Sequence, residues 1–363
     1  MSKLLQKSVM VALCFIFGLG TAKAEGLDFR VNKGEKLYVP NWSQEFVDLA
    51  KSCNDLSGAE CAVARNLLEE PRAYWLGLDV ALDEEIRILH SILQKAQQQE
   101  QAAVVVLSRY RACGSSENTV KKVTVQNYRR WVIKIGTVFH NYDVPIIAII
   151  EPGLLKDLVT NTNELCDGRD KKEVLEDWLD RLRTVIWNLD SRDPKDVPLA
   201  PKLRIIIDAS SPSQVSQPED RVAMAKALER LYGLARFHAI SVNVGQYDSF
   251  EESITYGKDL IASMRSDQLR KHHTGITIAY DKGRAGNRVQ GSCNARGAAL
   301  DRQPSTLNPA DSQIELVTII KTPGLSDGDG PKCFGAGPFG ELDLPTLLDY
   351  LHNTAVKYPP NGE

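Results

Sequence analysis

Two strand ends carry the residues of this chain that could do acid–base chemistry. The apolar run 146–150 leads into Glu151 and, two residues later, Gly153, and the apolar run 314–320 leads into a glycine-flanked loop that contains Asp327. Hydrolysis of an unactivated bond generally uses two such groups, one as base and one as acid. Gly153 stands where a carboxylic acid would complete the pair, so what this chain can do depends on that glycine.

Six short apolar segments are predicted to be the strands that position these residues, because each is rich in β-branched residues and is followed by polar or turn-forming ones. The predicted strands are Ala102–Leu107, Ile146–Ile150, Leu203–Ile207, Ala239–Val242, Gly275–Ala279 and Glu315–Ile320. Helical patterns lie at Val120–Phe139, Lys172–Leu189, Pro218–Phe237 and Phe250–Arg270. This alternation predicts parallel strands joined by right-handed crossovers. We therefore predict one α/β domain over residues 25–363, a single distorted (β/α) barrel with long loops at the carboxyl ends of its strands.

The segment from Asp281 to about Leu344 is rich in glycine, asparagine, arginine and proline and contains one predicted strand. Long loops of this kind at the rim of a barrel usually build a binding site. The run 335–340 has the letters of a GxGxxG motif but lacks the flanking strand and helix that a nucleotide site requires. No cofactor is expected, and the scattered histidines predict no metal site.

Residues 1–24 have the features of a secretory signal peptide. Lys3 and Lys7 precede an apolar run, and an A-x-A cleavage site ends at Ala24. The run is too short to span a bilayer comfortably, and no later stretch is apolar enough to do so. We expect cleavage after Ala24 and a soluble protein that is secreted or periplasmic, with no membrane as a partner.

Charge and cysteine content bound the partners and the compartment. Without residues 1–24 the chain holds 41 Lys and Arg against 47 Asp and Glu, a net charge of −6 without a basic cluster, which argues against nucleic acid as a partner. Six cysteines remain. An even number predicts disulfides in an exported protein, although spacing alone leaves the pairing open.

Eight rim segments follow one another along the chain, and they are Trp75, Arg111 with Cys113, Glu151-Pro152, Asp208-Ala209, Asn243-Val244, Asp281 with Arg284, Cys293-Asn294, and the loop from Lys321 to Gly328. In this order they resemble segments of glycoside hydrolase family 6, the inverting β-1,4-glucanases that include cellobiohydrolases and endoglucanases. Each match is weak by itself, but their shared order is not a coincidence.

The resemblance implies roles for several of these residues. Asp327 falls on the base position of the family, and its sugar-contacting positions are occupied by Trp75, Arg111, Asp208, Asn243, Arg284 and Lys321. The rim loops of the family are tied by two disulfides, which here would be Cys113–Cys166 and Cys293–Cys333, with Cys53–Cys61 as a local third pair. The implied ligand is a β-glucan or another polysaccharide, bound by a monomer.

Several positions at the sugar-reacting centre depart from the family pattern. Gly153 occupies the position of the general acid, and the other departures are Val106, Ala112, Ser211, Gln214, Ser292 and Leu325. One substitute acid is Glu151, which would share the strand face of Gly153, and the others near in sequence are Glu117 and Asp143. A missing general acid costs ~10²–10⁴-fold in rate.

Two hypotheses stay open. In the first, the chain is an exported β-glucan hydrolase, weak or altered in specificity, with Asp327 as base. In the second, it is catalytically inactive and keeps the barrel cleft to bind carbohydrate or a partner protein. The lost aromatic positions count against tight binding of crystalline cellulose, because aromatic faces supply much of the contact area of a sugar site.

Overall fold

The computed structural model describes residues 36–77, 81–109, 125–160, 171–190, 202–264, 275–289, 294–307, 309–325 and 342–358. The strands in these ranges are β1 Lys36–Leu37, β2 Tyr74–Leu76, β3 Gln101–Leu107, β4 Ile146–Ile150, β5 Leu203–Asp208, β6 Ala239–Val242, β7 Thr277–Asp281, β8 Thr306–Leu307 and β9 Ile314–Thr318. The helices are α1 Gln44–Ser52, α2 Gly58–Glu69, α3 Leu82–Gln98, α4 Val125–His140, α5 Leu154–Thr160, α6 Lys171–Leu189, α7 Pro218–Leu234, α8 Phe250–Ser263 and α9 Leu344–Lys357.

The strands form one sheet that nearly closes into a distorted barrel. Among the described residues its order is β1-β3-β4-β5-β6-β7-β9-β8, with β2 also paired to β3, and the pairs are parallel except β8 with β9. Pairing such as Ile150 with Ile207 brings the carboxyl ends of neighbouring strands to one edge. Arg72 forms a bridge with Ile319, so the chain around β2 joins β3 to the end of β9.

Strand β4 shows why these segments read as continuous apolar runs. Ile147 and Ile149 lie in the core inside the barrel, whereas Ile146, Ala148 and Ile150 pack in the core under the helices. Because both faces of the strand are covered, no position is left for a polar side chain. The interior core also contains Ala102, Val104, Val106, Ile206, Ala239, Ala279, Leu316 and Ile320.

A buried ion pair fills the barrel near the amino-terminal ends of its strands. Arg204 of β5 donates to Glu315 of β9 through Nε at 2.5 Å and Nη2 at 2.7 Å. Thr277 of β7 also donates to the Glu315 carboxylate at 2.5 Å. A buried charge pair with this two-pronged geometry is satisfied within the protein. The candidate functional residues lie at the opposite edge of the barrel, where the strands end.

Two of the described helices begin with a capping box. Ser249 and Glu252 form a capping box at α8, in which each side chain accepts from the backbone N–H of the other, and Ser57 and Glu60 do the same at α2. No helix within the described ranges is long and apolar enough to cross a bilayer.

Each of the six predicted strands is present. Ile146–Ile150 and Ala239–Val242 have the predicted bounds. The last strand ends at Thr318, two residues early, because Ile319 leaves the ladder to bridge Arg72. The patterns missed β1, β2 and β8, since runs of two or three residues carry no readable periodicity.

The four predicted helices are also present, with shifted ends. Helix α7 ends at Leu234 rather than Phe237, and α8 ends at Ser263. Residues 265–270, the rest of the last predicted helix, lie outside the described residues.

Candidate active site

A buried carboxylate, Asp281, fastens three strand ends together on one side of the rim. Its Oδ1 accepts from Gly283 N and Ile320 N at 2.9 Å each. Its Oδ2 accepts from Gly245 N at 2.8 Å and Lys321 N at 2.9 Å. Burial raises the pKa of Asp281, and the four N–H donors oppose that rise. The loops after β6, β7 and β9 are therefore held in one arrangement.

Asn243 and Arg284 fasten the same side of the rim. Asn243 has a left-handed backbone with φ 67°, and its side-chain amide donates to the Asp281 carbonyl at 3.1 Å. The buried Arg284 guanidinium donates to the Leu325 carbonyl at 2.8 Å and to Tyr247 Oη at 3.3 Å. These contacts give both residues a positioning role in addition to the predicted contact with sugar. Residues 243–247, 281–284 and 319–325 form the β7–β9 corner.

Trp75 presents the surface of this corner that a sugar ring could contact, and the buried Lys321 lies beside it. The Lys321 Nζ lies 5.0 Å from the centroid of the Trp75 ring, within the range of a cation–π contact. The Trp75 indole N–H donates to the Ile320 carbonyl at 2.7 Å, which fixes the ring against the interior core. Trp75 is half-buried, so part of an aromatic face stays accessible for stacking.

On the other side of the rim, Asp208 lies next to Gly153. Asp208 Oδ2 accepts from Gly153 N at 2.8 Å, and Oδ1 accepts from Ser241 Oγ at 2.9 Å. Asp208 is 3% exposed. Burial raises its pKa to about 6, although hydrogen bonds from Gly153, Ser241 and Ser210 lower it and the charge of Asp281 adds to the rise.

Gly153 leaves room where the sequence places the general acid. Its φ is 82°, and a Cβ added there would meet no atom within 4 Å. The position therefore combines an open space with a buried carboxyl group, Asp208, at hydrogen-bond distance from its backbone. Residues 151–153 and 208–211 form the β4–β5 corner.

Glu151 does not share the face of Gly153, so the interpretation of Glu151 as a substitute acid is wrong. The strand ends at Ile150, and Glu151 turns into a left-handed conformation with φ 46°, which breaks the alternation of side chains. Its carboxylate accepts from Arg109 N at 2.9 and 3.1 Å and from Tyr128 Oη at 2.7 Å. Burial and the Glu151 charge raise the pKa of Tyr128, so its hydroxyl stays a donor. Glu151 thus faces α4.

The other two alternatives for the acid are Asp143 and Glu117. Asp143 precedes β4 and pairs with Lys202, which precedes β5, at 2.9 Å, with 81% of the Asp143 side chain exposed. It lies at the amino-terminal edge of the barrel, so the interpretation of Asp143 as the acid is also wrong. Glu117 lies outside the described residues.

The described departures from the family pattern differ in their surroundings, since Gly153 faces open space whereas Val106 and Ser211 are buried. Val106 lies in the interior core. The Ser211 hydroxyl is 3.2 Å from Ser213 Oγ, and the side-chain carbonyl of Gln214 accepts from Ser210 Oγ at 2.6 Å. Ser211 and Gln214 thus help to hold the loop after β5.

Several predicted site residues lie outside the described residues. They are Asp327, Arg111, Ala112, Ser292, Cys113, Cys166, Cys293 and Cys333. The disulfide Cys53–Cys61 is present, joins the end of α1 to α2 and has a Cα–Cα distance of 5.4 Å.

Sequence reasoning missed Ser241 and the clamping role of Asp281. Ser241 pairs in register with Asp208, so the alternation of adjacent strand ends could have placed both on one face. Three of the four donors to Asp281 (Gly245, Ile320 and Lys321) come from distant parts of the chain, and no local pattern signals them.

Comparisons with known proteins agree with this architecture. The model of the family described as glycosyl hydrolases family 6 matches residues 32–334. The chain is 23% identical over 305 residues to a candidate type B endoglucanase of Fusarium oxysporum, with 75% of this chain and 62% of that protein covered. It is 26% identical over 225 residues to 1,4-β-D-glucan cellobiohydrolase C of Emericella nidulans, with 56% and 46% covered. The chain therefore spans less than two thirds of the length of these relatives.

Solved structures share the fold. An endoglucanase of Mycobacterium tuberculosis in complex with methyl-cellobiosyl-4-deoxy-4-thio-β-D-cellobioside superposes with a TM-score of 0.68 at 22% identity, covering 88% of this chain and 97% of that one. Cellobiohydrolase II of Humicola insolens, in complex with glucose and cellotetraose, gives a TM-score of 0.70 at 19% identity and covers 90% and 99%. Because the family model matches well over half of its residues, the chain belongs to glycosyl hydrolases family 6.

Proposed function

We propose that this protein is an exported hydrolase of β-1,4-linked glucan that acts with inversion and uses Asp327 as its base. The observation that carries the proposal is the β7–β9 corner, where Asp281 and Arg284 hold the chain that leads to Asp327 as far as Leu325. A general base works only when it is held at hydrogen-bond distance from the attacking water, so a fastened loop suits this chemistry. Family membership and the oligosaccharides in two structural neighbours support the choice of substrate.

In the proposed reaction, water attacks the anomeric carbon opposite the leaving sugar while Asp327 takes a proton from that water. Trp75 stacks against a sugar ring, and the buried ammonium group of Lys321, 5.0 Å from the centroid of the Trp75 ring, places a positive charge beside that ring. Because Gly153 carries no carboxyl group, direct protonation of the leaving oxygen from this position is lost. We expect turnover ~10²–10⁴-fold below that of an enzyme with an intact acid.

Export is part of the proposal. Residues 1–24 have the composition of a cleaved signal, and the Cys53–Cys61 disulfide suits an oxidising compartment. The mature protein would act outside the cytoplasm on a polysaccharide.

A second function, binding of carbohydrate without hydrolysis, is favoured by the space at Gly153. The β7–β9 corner and Trp75 would then hold a glucan chain and release it unchanged. Both functions use the same cleft, so they differ in turnover and not in location.

Release of reducing ends from soluble mixed-linkage glucan tests the hydrolase, with Asp327→Asn as the matched control. Turnover that disappears in the variant supports Asp327 as base, and turnover equal in both proteins, or none, rejects hydrolysis as proposed. Calorimetric titration with cellotetraose supplies the second arm. Binding of cellotetraose without turnover supports the second function, and the absence of both rejects both functions.

A further inference from the structure

We propose that Asp208 supplies the proton that the leaving sugar requires, through a water molecule held in the space at Gly153. This inference rests on the proposed hydrolase function and adds a proton source to it. Asp208 acts through water and not by direct contact with the glucan, since it is 3% exposed.

The geometry at Gly153 provides the route. Asp208 Oδ2 lies 2.8 Å from Gly153 N, and a Cβ on Gly153 would meet no atom within 4 Å. A side chain at this position would enter that space, and the proposed relay water lies at its edge, within hydrogen-bond distance of Asp208. Water is a good relay because it accepts one proton while it donates another.

The hydrogen-bond inventory of Asp208 fits a carboxylic acid. An ionised carboxylate has about four acceptor sites, and a protonated one has a single O–H donor with the remaining sites still accepting. Asp208 accepts from Gly153, Ser241 and the Ser210 backbone, which are three donors. One site is left, and in the protonated form it is the O–H that points to the relay water.

Two other buried carboxyl groups of the described rim are not suited to this task. Asp281 accepts from four backbone N–H groups, so protonation would break one of those bonds. Glu151 faces α4, where Arg109 N and Tyr128 Oη occupy its oxygens. Asp208 is the carboxyl group that both keeps a site free and lies beside Gly153.

The electrostatic surroundings keep a proton available on Asp208. Burial, with the charge of Asp281 on β7, raises its pKa to about 6. From α8, Tyr256 Oη donates to the Ala209 carbonyl at 2.8 Å, and burial raises the pKa of this tyrosine, so it stays neutral. Asp208 is thus protonated in a useful fraction of molecules in mildly acidic solution.

The step balances as an ordinary hydrolysis. The Asp208 O–H gives its proton to the relay water, which gives one of its own to the glycosidic oxygen as the bond from that oxygen to the anomeric carbon breaks. The nucleophilic water adds to the anomeric carbon and loses a proton to Asp327. Exchange with solvent returns Asp208 to the acid and Asp327 to the base, and one water is consumed per bond.

The test compares two substrates in wild type and Asp208→Asn. Soluble glucan needs a proton on its leaving group, whereas the dinitrophenolate of 2,4-dinitrophenyl β-cellobioside leaves without one. We expect Asp208→Asn to lower glucan turnover ~10²-fold or more and to change dinitrophenyl turnover less than about tenfold. Glucan turnover of wild type should fall as the pH rises through about 6, and this fall should be absent in the variant.

Ser241→Ala is the matched variant, and its expected effect is a shift in the pH profile that a purely structural role of Asp208 would not produce. The Ser241 hydroxyl stabilises the carboxylate of Asp208, so its removal should raise the pKa of Asp208 and move the alkaline limb of the glucan pH profile upward. Adding Gly153→Asp to Asp208→Asn should restore glucan turnover by placing a direct donor in the open space.

The outcomes separate the inference from the function on which it rests. If Asp208→Asn lowers both substrates equally, or neither, the inference is overturned and the hydrolase stands. If wild type cleaves only the dinitrophenyl substrate, no proton source operates, which also overturns the inference. If wild type cleaves neither substrate, the proposed function falls and the inference falls with it.

Discussion

The two corners of the rim differ in how their buried carboxyl groups are satisfied. In the β7–β9 corner, Asp281 accepts from four backbone N–H groups and has no acceptor site to spare. In the β4–β5 corner, Asp208 accepts from three donors, has a pKa of about 6 and lies beside the open space at Gly153. The first carboxyl group fixes the backbone, and the second can change its protonation state.

The backbone contacts that hold a site in place, its frame, are therefore separable from the groups that react in it. The four N–H donors that meet at Asp281 come from the loops after β6, β7 and β9, so they hold whether or not a reacting side chain is present elsewhere on the rim. At Gly153 the side chain is absent, yet its backbone N–H still reaches Asp208 at 2.8 Å. Substitutions in the two corners should therefore have different consequences.

Asp281→Asn should have the greatest effect, a loss of stability. An amide can accept at only one of its two ends, so two buried N–H groups lose their partner and face an NH₂ group. At about 2 kcal/mol for each unpaired buried donor, the free energy of unfolding should fall by about 4 kcal/mol. Denaturant unfolding measures this, and Asp208→Asn is the control, because an amide resembles the protonated acid that this site accepts. A loss in Asp208→Asn as large as that in Asp281→Asn would remove the distinction between the corners.

The second effect is the pH dependence of stability. The pKa of Asp208 is raised from 3.8 in the unfolded chain to about 6 in the folded protein, so the folded state binds more protons between these values. Its contribution to stability is fully present below 3.8 and is lost as the pH rises through about 6, a loss of about 3 kcal/mol.

The measurement is the difference between wild type and Asp208→Asn in the free energy of unfolding from pH 4 to pH 7. This difference cancels other titrating groups, whose pKa shifts have the opposite sign at Asp311 and Glu60. A difference that does not change with pH would show that Asp208 is ionised throughout.

The third effect is a gain of activity from Gly153→Asp. The open space accepts the side chain, and a carboxyl group there can reach the leaving oxygen directly, so glucan turnover should rise by roughly 10–100-fold. Because φ is 82° at this position, any side chain costs about 1 kcal/mol in stability. Gly153→Ala shares that strain without the carboxyl group and should show the stability loss without the gain. A gain in both variants would mean that the carboxyl group is not its cause.

How far the sequence predicts this molecule depends on how local each feature is. The run Ile146–Ile150 is apolar on both faces, so its strand and bounds could be read directly. The closure of the barrel depends on Arg72 meeting Ile319, which are far apart in the chain, and β2 is too short to give a pattern. The barrel was therefore predictable, but not the strand that closes it.

The candidate site divides in the same way. Gly153 and the loss of its carboxyl group follow from the order of motifs along the chain. The outward turn of Glu151 depends on a left-handed backbone and on partners from β3 and α4, which no strand pattern reveals. Asp208 was expected to contact sugar, and its place beside Gly153 emerges only when β4 and β5 pair.

The smallest expected effect comes from Lys321→Met in the β7–β9 corner. The change removes the ammonium group above the Trp75 ring at 5.0 Å but keeps a side chain of similar length. The backbone N–H of residue 321 still donates to Asp281, so the frame of the corner should survive, and the free energy of unfolding should change by no more than about 1 kcal/mol. Affinity for cellotetraose, measured by calorimetry, should fall modestly because the positive charge beside the stacking ring is lost. Trp75→Phe is the matched change to the ring, since it keeps an aromatic face but removes the donor to the Ile320 carbonyl. If Lys321→Met destabilises the protein as much as Asp281→Asn does, the side chain belongs to the frame, and the separation of frame from reacting groups fails at this residue.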